Sequence, residues 1–124
     1  MTQEITENVR RLESLLDLET LQYGDIVQIK INFYPYHINK STESLGMYFS
    51  KLTQKGARLN FITPMFDGKK EYILDYKTTK NQVQVQEGKI VLFERCCNIR
   101  QYDLGHPQYK YYNNVLIRAG LRRA

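Results

Sequence analysis

The chain has 124 residues and a net charge of +5, with 42% hydrophobic and 25% charged residues. This length predicts one domain, and the composition is that of a globular protein rather than a disordered or fibrous one. No run of 18 apolar residues occurs, and the first residues lack the pattern of a secretory signal, so we expect no membrane contact. The two cysteines, Cys96 and Cys97, are adjacent and poorly placed to bridge each other, which favours a reducing, cytoplasmic setting.

The charge is distributed unevenly along the chain. Residues 1–25 carry a net charge of −4, whereas residues 26–124 carry +9. An acidic segment ahead of a basic body is typical of proteins with a polyanionic partner, and nucleic acid is the commonest such partner.

Residues 1–24 are predicted to form an amphipathic helix. Apolar residues recur there at spacings of three and four, at Ile5, Val9, Leu12 and Leu16. Gly24 suits the end of a helix because it tolerates a left-handed conformation. This helix would pack on its own domain, or it would drive self-association into a homo-oligomer.

Residues 25–106 read as a β-rich body. Residues 26–33 alternate between apolar and polar side chains, as a half-buried strand requires, and the Gly-Asp that precedes them is similar to the start of many SH3-like barrels. Asp67-Gly68 predicts a hairpin between two alternating segments, and Gly88 predicts a turn after the short strand at 82–86. Residues 42–54 fit either a short helix or a strand, and the helix is favoured by the spacing of their apolar residues.

Residues 107–124 form a basic C-terminal element with two interpretations. Pro107 at a first helical position, with Tyr112, Leu116 and Ala119 on one face, predicts a helix. Two strands around Asn113-Asn114 would fit the β-branched residues in the segment equally well.

Together these segments predict an α+β fold in a single domain, 1–124. The N-terminal amphipathic helix would pack on a small, mostly antiparallel β-sheet or a partly open barrel of the SH3 or OB type. The predicted core consists of Leu12, Leu16, Val27, Ile29, Ile31, Phe33, Leu59, Phe61, Ile73, Val91 and Phe93.

Basic residues interleaved with aromatic ones carry the main functional prediction. Cations hold the backbone of a single-stranded nucleic acid, and aromatic rings stack under its bases. We therefore expect a small non-enzymatic module that binds single-stranded or structured RNA or DNA. The residues expected to form the site are Lys30, Tyr34, Tyr36, Lys110, Tyr111, Arg118, Arg122 and Arg123.

Other functions have weaker support in the sequence. Tyrosine is favoured at interfaces, so a protein-protein interaction module, such as a viral or phage accessory protein or an adaptor, is the alternative. The two histidines, His37 and His106, would support metal-independent RNA cleavage only if the fold brings them together. No motif for a metal, a cofactor or a catalytic nucleophile is present, so no metal site and no cofactor are expected.

Overall fold

The structure is a computed structural model that describes residues 9–32, 41–49 and 58–122. Within these residues eight strands form one sheet and one α-helix follows it. The strands are β1 (Val9–Arg10), β2 (Ile26–Asn32), β3 (Ser41–Tyr48), β4 (Arg58–Phe66), β5 (Glu71–Thr79), β6 (Val83–Gln86), β7 (Lys89–Phe93) and β8 (Asn98–Asp103), and the helix is α1 (Pro107–Arg118). Short 3₁₀ helices lie at Leu15–Thr20, Lys80–Gln82 and Glu94–Cys96.

The sheet is a curled half-barrel with the strand order β6-β7-β2-β3-β4-β5-β8. β2 pairs with β1 and with β7 in parallel, and the other neighbours are antiparallel. β3 stays in register with β2 along the whole of β2 but meets β4 only at Met47↔Ile62 and Tyr48↔Phe61. The two halves of the sheet therefore diverge between β3 and β4, next to the long β4–β5 hairpin.

Each face of the sheet carries its own apolar cluster. The side chains of Val27, Ile29 and Phe61 belong to the larger cluster. The opposite face, called here the helix face, carries a cluster that includes Met47, Ile62, Ile73, Tyr102, Tyr109, Tyr112 and Leu116. The last three of these lie on α1, so the C-terminal helix covers this face.

The predicted α+β fold with an N-terminal helix packed on a small sheet is wrong, because the protein is mostly β. Residues 1–8 lie outside the described part, and the first described elements are a two-residue strand and a 3₁₀ helix rather than an α-helix. The Asp17 carboxylate accepts hydrogen bonds from the backbone N–H groups of Glu13 (2.7 Å) and Ser14 (3.2 Å), which turns the chain at this point. Leu16 is consequently 74% exposed, whereas Leu12 is buried. The hypothesis of a homo-oligomer through this helix loses its basis.

The favoured helix over 42–54 is also wrong for the described residues, since 41–48 form β3. The close packing of this strand requires a glycine at position 46. A Cβ atom at this position would lie 2.9 Å from Thr63 Oγ1 and 3.3 Å from the Ile62 carbonyl oxygen. The absent side chain therefore lets β3 pack closely on its neighbours, which is the usual meaning of a glycine inside a strand.

Several local predictions are confirmed. The Asp67-Gly68 hairpin joins β4 to β5, with Gly68 at φ +91°, and the Gly88 turn joins β6 to β7. For the C-terminal element, where the sequence left a helix and two strands open, the structure has the helix, with Pro107 in its first turn. Most of the predicted core is buried, with Leu16 exposed and Phe93 only half-buried, while Phe33 lies outside the described residues.

Candidate functional site

Helix α1 presents one side to the sheet and the other to solvent. The His106 side chain caps its start, because Nδ1 accepts the backbone N–H of Gln108 at 3.0 Å. The buried side consists of Tyr109, Tyr112 and Leu116. The exposed side consists of Lys110, Tyr111, Asn114 and Arg118, which the helical repeat places on one face. The helix thus offers solvent one aromatic ring between two cations.

Two further aromatic residues extend the exposed side of α1. The ring of Phe49, just after β3, lies 6.0 Å from that of Tyr111 and 5.0 Å from that of Tyr23. Tyr23 and Tyr111 are 51% and 53% exposed, whereas Phe49 is half-buried between them. We call the residues Tyr23, Phe49, Lys110, Tyr111 and Arg118 the tyrosine surface.

The turn that carries Tyr23 is held against the end of β3. Gly24 adopts φ +94°, a conformation that favours glycine, and its N–H donates to the Tyr48 carbonyl at 2.8 Å. The Tyr48 N–H donates in return to the Asp25 carbonyl at 2.7 Å. Tyr23 is therefore positioned by paired backbone hydrogen bonds rather than by a loose loop.

The hydroxyl of Tyr23 lies within the electrostatic influence of Arg118. Burial raises the pKa of Tyr23, its hydrogen bond with Tyr111 raises it further, and the positive charge of Arg118 opposes this shift. Both the hydrogen bond and the influence of Arg118 require that these side chains lie near one another. The surface is thus uncharged on its rings and cationic at its margin.

The structure brings together three of the eight predicted site residues, Lys110, Tyr111 and Arg118. Tyr34, Tyr36 and Arg123 lie outside the described residues. Sequence reasoning missed Tyr23 and Phe49, which are distant in sequence from α1. The sequence indicated a left-handed conformation at Gly24, but as the end of a helix, and the contact of Tyr23 with α1 depends on the sheet.

Lys30 occupies a different part of the sheet. It lies on β2 opposite Glu43 of β3. Glu43 accepts a hydrogen bond from Lys89 Nζ at 2.8 Å, which lowers the pKa of Glu43, and the charge of Lys30 lowers it further. Lys30 is therefore balanced by an acid within the sheet and is not part of the tyrosine surface.

Arg122 anchors the chain after α1. Its guanidinium donates hydrogen bonds to the Tyr109 hydroxyl, Asn113 Oδ1 and the backbone carbonyls of Met65 and Tyr72, at distances of 2.9 to 3.3 Å. It also lies 5.7 Å from the centre of the Tyr109 ring. These contacts tie the segment after α1 to the β4–β5 hairpin and engage both terminal nitrogens, so Arg122 is not part of the tyrosine surface.

A buried carboxyl group lies on the helix face. Asp75 of β5 is fully buried, and it accepts hydrogen bonds from Asn60 Nδ2 and, at 3.5 Å, from the Tyr102 hydroxyl. Desolvation raises the pKa of Asp75, and its hydrogen bonds and the charges of Lys77 and Arg100 oppose this. Burial, with the nearby Asp75 adding to it, raises the pKa of Tyr112 to about 12. Enclosed in this way, Asp75 has no access for a substrate.

Among the described residues no group of three or more His, Cys, Asp or Glu side chains is placed to hold a metal ion. His106 is an exposed helix cap whose ring packs 4.7 Å from that of Tyr102, and His37 lies outside the described part of the chain. Burial raises the pKa of the Cys97 thiol to about 11, which makes it a poor nucleophile at neutral pH.

No helix in the described ranges is long and apolar enough to cross a membrane. No protein-family model, curated protein or solved structure matches this chain.

Proposed function

We propose that this chain is a small non-enzymatic module that binds single-stranded or structured RNA or DNA through the tyrosine surface. The observation that carries the proposal is the pair of half-exposed rings, Tyr23 and Tyr111, held around Phe49 beside Arg118. Stacking of a base on an exposed aromatic ring contributes about 1–3 kcal/mol and tolerates any base, because every base has a π-face.

The aromatic character of the surface favours single strands over duplex. The faces of stacked bases are covered in a double helix, so a protein ring reaches them only in single strands, loops and ends. An α-helix that reads the major groove instead places polar side chains against base edges. The exposed side of α1 carries an aromatic ring, that of Tyr111, which suits stacking better than edge reading.

The cations on this surface are available for phosphate. Neither Lys110 nor Arg118 forms an ion pair with a carboxylate of the described residues. Both are exposed and flank Tyr111 on the same side of α1. A strand whose base stacks on Tyr111 would therefore place its backbone within reach of two positive charges.

The test is fluorescence anisotropy of labelled single-stranded RNA, single-stranded DNA and duplex DNA, each titrated with the protein at a low and a high salt concentration. We expect binding to both single strands, weaker binding to the duplex, and loss of affinity at high salt because phosphate contacts release counterions. Absence of binding at low salt, where electrostatic attraction is strongest, would refute the proposal.

A protein partner is the second candidate, because exposed tyrosines beside an arginine are also typical of protein interfaces. The viral accessory and adaptor hypotheses belong to this candidate. Light scattering over a range of protein concentrations separates the two: a closed oligomer without affinity for nucleic acid favours the protein partner. The free thiols of Cys96 and Cys97 support action in a reducing compartment such as the cytoplasm.

A further inference from the structure

A second polar site lies where β4 begins and β5 ends. It is an open cleft of about 500 Å³. The residues that line it are Arg58, Leu59, Asn60, Lys77, Thr78, Thr79, Gln82, Cys96 and Asn98. None of them is acidic, so the cleft differs from the Glu43 region, where cations and a carboxylate are paired.

The register of the sheet places the two cations of the cleft, Arg58 and Lys77, at diagonal positions on neighbouring strands. Arg58 pairs with Thr79 and Asn60 pairs with Lys77, so the four side chains share one face. Arg58 and Lys77 are diagonal neighbours, and such positions lie about 7–8 Å apart, within reach of long side chains. Two positive groups are thus brought together by the β4–β5 pairing itself.

Neither cation of this pair forms an ion pair within the described part of the chain. Neither Arg58 nor Lys77 has a carboxylate oxygen within 4.0 Å among the described residues. The carboxyl of Asp75 lies two positions from Lys77 along β5, but it is buried and bonded to Asn60 and Tyr102. Like charges held close together repel each other, and a bound anion would relieve that repulsion.

The neutral groups of the cleft add hydrogen-bond donors. The Thr79 hydroxyl donates to Gln82 Oε1 at 3.0 Å, so the oxygen of this amide is engaged and its N–H₂ group is the part that can donate to a ligand. Asn98 pairs with Lys77 across β5 and β8 and offers a second amide. A guanidinium, an ammonium and two amides suit a ligand whose oxygens only accept hydrogen bonds.

We propose that this cleft binds a phosphate group, supplied either by free phosphate or by the backbone of a nucleic acid. Arginine and lysine together are the usual partners of phosphate oxygens. The site goes beyond the tyrosine surface, because none of its lining residues belongs to that surface. The two adjoin, however, since the Phe49 N–H donates to the Asn60 carbonyl at 2.8 Å. A single strand on the tyrosine surface could therefore continue into the cleft.

Cys96 provides a built-in reporter for the test, because it lines the cleft. The rate of its alkylation is followed by mass spectrometry, which separates modification of Cys96 from that of Cys97. The probes are inorganic phosphate and a single-stranded oligonucleotide, each compared with sodium chloride at the same ionic strength. The proteins are the native chain, Arg58→Gln, Lys77→Gln and the control Lys69→Gln, whose exposed side chain lies at the opposite end of the same hairpin.

We expect at least one probe to slow the alkylation of Cys96 in the native chain and in Lys69→Gln. Arg58→Gln and Lys77→Gln should each weaken this protection by about tenfold, the loss typical of one charged hydrogen bond. Protection by phosphate alone assigns the cleft to free phosphate, and protection by the oligonucleotide assigns it to the nucleic-acid backbone. Circular dichroism confirms that each variant is folded.

Absence of protection by both probes, or protection that both cleft variants retain in full, would overturn the phosphate cleft. The proposed function has a separate readout. Oligonucleotide binding by anisotropy that depends on Tyr111 but not on Arg58 or Lys77 would retain the tyrosine surface and reject the cleft. Protection by phosphate in a protein that binds no oligonucleotide would retain the cleft and reject the tyrosine surface.

Discussion

The two sides of α1 use the same residue types for different purposes. On the side that faces the sheet, Tyr109 and Tyr112 are buried, and Arg122 beyond the helix is bonded to four oxygens. On the solvent side, Tyr111 is half-exposed and Arg118 forms no ion pair with the described carboxylates. Tyrosine and arginine therefore build the fold on one side and offer a binding surface on the other.

This contrast shows that only some of the cations and tyrosines in a basic, tyrosine-rich segment are available for binding. Arg118 and Arg122 are four residues apart, yet only Arg118 is exposed. The helix ends at Arg118 and the chain then returns toward the sheet, with Gly120 at φ +81°. The return carries Arg122 onto the β4–β5 hairpin and removes it from the solvent side.

The largest effect is expected from Arg122→Ala. Loss of charged hydrogen bonds to half-buried acceptors should lower the free energy of unfolding by about 2–3 kcal/mol, measured by urea denaturation. Arg118→Ala is the matched control and should change this free energy by less than about 0.5 kcal/mol. Equal destabilisation by the two variants would show that Arg122 contributes no more to the stability of the fold than Arg118 does.

A charge test addresses the solvent side. The double variant Lys110→Ala, Arg118→Ala should reduce the salt slope of single-strand binding by about 1.4, since each phosphate contact contributes about 0.7. The control is Lys30→Ala, Lys89→Ala, which removes the same charge from residues grouped around Glu43. Anisotropy at several salt concentrations gives both slopes. An identical slope change in the two double variants would mean that only net charge matters.

The smallest effect is expected from the buried carboxyl of Asp75, which makes the stability of the fold depend on pH. The pKa of Asp75 is raised in the folded protein, so folding favours the protonated carboxyl. Its contribution to stability is present below the unfolded pKa, near 3.8, and is lost as pH rises through the folded pKa. Relative to Asp75→Asn, the native chain should therefore gain stability on acidification within that window, as measured by urea denaturation at each pH. A native chain that gains stability relative to Asp75→Asn as the pH rises would contradict the raised pKa.

Local sequence patterns predicted the strands better than the overall fold. Alternation predicted β2 and the β4–β5 hairpin because each pattern depends on neighbouring residues and one turn. The N-terminal helix failed because Leu12 and Leu16 fit a helical repeat, while the bonds of Asp17 to Glu13 and Ser14 turn the chain between them. For β3 the strand was only the alternative, because the spacing of the apolar residues favoured a helix, and the close contacts of Gly46 with β4 exist only in the folded sheet.

The candidate site was predictable only in part, for the same reason. Tyr111, Lys110 and Arg118 were identified from the mixture of tyrosines and cations near the C-terminus. Tyr23 and Phe49 reach them only through the fold, and Arg58 and Lys77 become diagonal neighbours only through the β4–β5 register. No local pattern encodes these juxtapositions, because they depend on the strand order.

The proposed function depends on stacking of Tyr111 on a nucleic-acid base. It is tested most directly by titrating a labelled single-stranded oligonucleotide with the native chain, Tyr111→Phe, Tyr111→Ala and Phe66→Ala. Phe66 is a matched control, because it is 66% exposed and lies at the far end of β4. We expect Tyr111→Ala to weaken binding by roughly tenfold to a hundredfold, while Tyr111→Phe and Phe66→Ala remain close to the native chain. Native affinity in Tyr111→Ala, or an equal loss in Phe66→Ala, would contradict the claim.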